Sequence, residues 1–78
     1  MNIELKRYIA DFNYLIGRIN KAESIPVEKL RQYSEEGYMK LITALQEIIR
    51  QSSDIGNKIE RLIKRPLTDY ECLHGINI

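Results

Sequence analysis

A chain of 78 residues with 12 basic and 11 acidic side chains is one domain at most, and its net charge of +1 gives no overall electrostatic reason to hold nucleic acid. Its single cysteine, Cys72, excludes an intrachain disulfide and fits a reducing compartment, so the expected location is the cytoplasm. No stretch approaches the roughly 18 uncharged apolar residues that a membrane span needs, and the charged start Met1-Asn2-Ile3-Glu4-Leu5-Lys6-Arg7 lacks the apolar run of a signal peptide.

The first segment is periodic. Leu5, Tyr8, Phe12, Leu15, Ile19 and Ala22 recur at alternating intervals of three and four, the spacing of a heptad seam. Ile9 and Ile16 widen the seam to the face of a globular helix. The pattern predicts a helix over residues 3–22, with Lys6, Asp11, Asn13, Gly17 and Lys21 on the solvated side. An exposed Gly17 costs about 1 kcal/mol relative to alanine; alternatively it lets another backbone come close.

Pro26 marks the next start. It has no amide hydrogen to lose at the first helical position, so Ser24 or Ile25 is the expected N-cap, with Glu28 in the favoured acidic first turn. A connection of three or four residues turns the second helix antiparallel to the first. Tyr38, Leu41, Leu45, Ile48, Ser52, Ile55, Ile59 and Leu62 continue the same periodicity, thickened by Ile42, Ile49 and Ile63. Upstream, Val27, Leu30, Ser34 and Gly37 extend it, with two small residues where helices could approach. Pro66 ends it and biases Arg65 away from helical angles. The expectation is a long helix over 26–65.

Residues 51–57, Gln-Ser-Ser-Asp-Ile-Gly-Asn, are poor helix formers, and Asn57 with Glu60 has the form of a capping box. The helix is therefore kinked or broken near 52–57, or runs through. The apolar phase is unbroken from Ile48 to Leu62, which favours continuity. At ~1.5 Å per residue the second helix is about twice as long as the first. The uncovered stripe then consists of Ile48, Ile49, Ile55, Ile59, Leu62 and Ile63, an expected partner or oligomer interface in a helical bundle. In the tail, Thr68 and Glu71 match a capping box and Gly75 a C-cap, which predicts a short helical turn over 68–74. Leu67, Tyr70, Leu73, Ile76 and Ile78 are too apolar for a free tail and are expected to pack down.

Chemistry is sparse. Cys72 and His74 are two ligands where zinc needs three or four, and they stand two residues apart, on different sides of a helix. Glu28, Glu35 and Glu36 read as a solvated face, since a hairpin this thin offers no cleft for paired carboxylates. No catalytic, metal or cofactor signature stands out, so the chain reads as non-enzymatic. The most basic part is 48–65, where Arg50, Lys58, Arg61, Lys64 and Arg65 form a candidate phosphate-binding face for nucleic acid or a nucleotide. Tyr8, Phe12, Tyr33 and Tyr38 are expected near one another at the core edge.

The plan resembles small helical-hairpin dimers, plasmid copy-number regulators among them, an architectural resemblance that carries no residues across. Short chains of this plan are common in phages and mobile elements. The expectation is one small helical domain over 1–78 that forms a homo-oligomer or binds a protein partner, as a regulator, inhibitor or assembly factor. The alternative is a binder of phosphate-containing ligands.

Overall fold

In the computed structural model, which describes residues 2–77, Asn2 opens the first helix. Its side-chain oxygen accepts the Glu4 amide at 2.7 Å, satisfying one of the amides that a helix start leaves unpaired. This helix, α1, spans Ile3–Glu23 and closes at Ser24, whose hydroxyl donates to the Lys21 carbonyl. The described residues are 79% helical and contain no strand, so the chain is all-α.

Pro26 does start a helix, but as its N-cap and not its first residue, with extended φ −62° and ψ 146°. The result, α2, is a single turn over Val27–Leu30. The chain leaves it through residues 31–34 and starts again at Ser34, whose hydroxyl oxygen accepts the Gly37 amide at 3.0 Å. Glu35 and Glu36 occupy the acidic first turn that follows. Two expectations are corrected here. The long helix, α3, spans Glu35–Ile63 and not 26–65, and the connection from α1 is residues 24–34 instead of three or four residues. The apolar rhythm crosses the break, but Ser34 serves as a local cap where the stripe suggested a site of close helix approach.

Residues 51–57 lie inside α3 without interruption. Their weak helix formers have a packing reason. Ser52 is buried and its hydroxyl donates to the Ile49 carbonyl at 2.8 Å. Gly56 sits under Phe12, where an added Cβ would stand 3.3 Å from the ring. Small residues are needed because α1 crosses closely at that point. Lys64 ends α3 in the left-handed region (φ 59°), two residues before Pro66. The Glu60 carboxylate then accepts the Leu67 amide at 2.8 Å and fixes the exit.

The last helix, α4, spans Asp69–His74 and carries a complete capping box between Thr68 and Glu71. Gly75 follows with φ 91°, a conformation that favours glycine. An added Cβ there would also lie 2.6 Å from Asn13 Oδ1. Asn13 needs that space, since its amide clamps the backbone of the tail. Its Nδ2 donates to the Ile76 carbonyl at 2.9 Å, and its Oδ1 accepts the Ile76 amide at 2.7 Å. Asn20, two turns further along the same face, donates to the Leu73 carbonyl. The expected solvated side of α1 is therefore, at Asn13, a docking strip for the tail. Ile76 is buried and Leu67 packs against the core, while Tyr70 and Leu73 stay exposed, contrary to expectation. Ile78 lies outside the described residues.

Tyr8 meets Lys58, Phe12 meets Gly56, and Ala22 shares a groove with Leu41, so α1 and α3 run side by side in opposite senses. The core cluster is Ile9, Phe12, Ile16, Ile59 and Ile76, with Leu5, Tyr8, Ile19, Ile55, Ile63 and Leu67 packed around it. Ile59 is its centre at 0% exposure; burying a side chain of that size contributes about 1.5–3 kcal/mol. The molecule measures 45 × 18 × 18 Å, its length set by α3.

Candidate partner interface

The two ends of this rod differ. Every buried side chain lies in residues 9–16, 52–59 or 75–76, at the end where α1, α3 and the tail meet. From residue 17 to residue 51 no described residue is buried, although that stretch includes Ile19, Ile25, Leu41, Ile42, Leu45 and Ile48. Here α1 and α3 enclose an open groove of about 330 Å³. Ala22 and Ile25 line one side of it, and Leu41, Ala44, Leu45 and Ile48 the other. Beyond it Val27 is 57% exposed, and Tyr33 and Tyr38 just over 40% each. Arg18 and Lys21 stand on the α1 wall of the groove.

The surplus apolar surface thus lies at the N-terminal half of α3, and not at the C-terminal half where the periodicity alone predicts it. Of the expected interface residues, Ile59 is fully buried and Ile55 and Ile63 pack on the core, so this chain already uses them. Ile48 is half-buried in the groove. Ile49 and Leu62 are exposed, on opposite flanks of the helix. The cause is the corrected connection. With eleven residues between the helices, α1 pairs with the far part of α3 and leaves the beginning uncovered. The one signal in the sequence for this was the cap Ser34-Glu35-Glu36.

The basic run is not one free patch. Arg50 is held by Glu47 and by Asp54 at 3.0 Å. These contacts lower the Glu47 carboxyl and raise the guanidinium, the hydrogen bond between them being the largest cause. Lys58 lies 5.5 Å above the Tyr8 ring. Arg65 forms a two-pronged pair with Glu71 at 2.8 and 3.0 Å. That pair, together with the Thr68 amide, pulls the Glu71 carboxyl down to about 2. Among the described residues, Arg61 and Lys64 have no carboxylate within 4.0 Å.

The aromatic residues do not converge either. Tyr8 and Phe12 lie at the core end, whereas Tyr38 is about 30 Å further along α3, 20 residues from Lys58. Cys72 borders a second groove of about 310 Å³ beside Phe12, Ile16 and Leu67. Burial is the main cause that raises its thiol above the ordinary value. His74 instead stacks near Tyr70, with ring centroids 4.6 Å apart. Among the described residues no three histidine, cysteine or acidic side chains gather as metal ligands. No described helix is long and apolar enough to cross a membrane.

No family model matches this chain. Neither a curated protein nor a solved structure is significantly similar to it.

Proposed function

We propose that this protein is a small non-enzymatic interaction module, an antiparallel helical hairpin that acts as one part of a helical bundle assembled with another chain. The observation that carries this reading is the run from residue 17 to residue 51 without a buried residue, in a chain whose other end is packed. Small domains have little core to spare, and a contiguous apolar face of this kind marks an interaction surface. The groove lined by Ala22, Ile25, Leu41, Ala44, Leu45 and Ile48 is apolar on both sides, which suits the non-polar stripe of an amphipathic helix. A regulator, inhibitor or assembly factor would work in this way.

The test is association compared between the wild-type chain and a Leu41→Asp, Leu45→Asp variant whose helical content is verified by circular dichroism. The reading expects every self- or partner association of the wild type to be lost in the variant. Associations that survive both substitutions would refute it, as would a wild-type chain that associates with nothing. The phosphate-binding alternative has less support, because Arg50 and Arg65 are committed to carboxylates, which leaves Lys58, Arg61 and Lys64 of the five basic residues for such a face.

A further inference from the structure

We draw no further inference here: the strongest candidate, the open apolar groove between the second half of α1 and the first half of α3, belongs to the interface already described, and nothing in the structure shows what covers it.

Discussion

Replacing Asn13 with alanine removes both hydrogen bonds that hold the tail, at 2.9 and 2.7 Å to the Ile76 backbone. A hydrogen bond contributes about 0.5–1.5 kcal/mol net, so the pair contributes about 1–3 kcal/mol to keeping the tail closed. The loss is local. Ile59, Phe12 and Ile16 still pack on one another without Ile76, whereas Ile76, only 8% exposed, loses the contact that seats it. At a factor of ten per 1.4 kcal/mol, tail opening should rise about 5- to 150-fold. Amide hydrogen exchange resolves this directly: the Ile76 amide should speed up by that factor while the Ile59 amide, set by global unfolding, changes much less. Asn20→Ala, which removes one exposed bond to the Leu73 carbonyl, should have a smaller effect. If the Ile76 amide keeps its protection in Asn13→Ala, the clamp is not what holds the tail.

Ile59→Ala should cost about 2–5 kcal/mol, a large share of the ~4–12 kcal/mol expected for a chain of this length, whereas Ile49→Ala, at 47% exposure, should stay within about 0.5 kcal/mol in the monomer. Thermal melts separate the two, with a fall of about 8 °C or more for the first. Ser34→Ala should cost about 1 kcal/mol and fray the start of α3 at Glu35 and Glu36, read as faster amide exchange there and not at Ile59. Glu71 gives a pH dependence of definite sign. Its carboxyl lies at about 2 in the folded chain against an ordinary value of 4.5, so its contribution is complete above pH 4.5 and is lost as pH falls towards 2. Chemical shifts of Thr68 and Leu73 should report α4 loosening across that window, and Glu71→Gln should abolish the dependence. An unchanged acid transition in the variant would remove Glu71 as its source.

The sequence is most legible where a local signal and the periodic pattern agree. The α1 seam, the Thr68–Glu71 capping box and the role of Gly75 are each written in a few adjacent residues, and all three appear in the structure. Residues 51–57 show pattern overriding propensity, since Ser52 and Gly56 are weak helix formers placed where α1 passes close. The same trust in pattern fails at 26–34. There the apolar rhythm runs on across a real break, and Ser34-Glu35-Glu36 carried the boundary. The candidate interface shifted with that boundary, from the end of α3 to its beginning. Asn13 and Asn20 were illegible for a different reason. An asparagine on the polar face of a helix looks solvated until a distant segment, 63 residues away for Ile76, supplies the backbone that it binds.

Sedimentation of the wild-type chain beside the Leu41→Asp, Leu45→Asp variant, alone and with the proteins that co-purify with it, is the most direct test of the open groove as an interaction surface. The account predicts a wild-type species heavier than the 9.2 kDa chain in at least one of these mixtures and a folded variant at the single-chain mass. A wild type that stays at 9.2 kDa in all of them, or a variant that associates as strongly as the wild type, would contradict it.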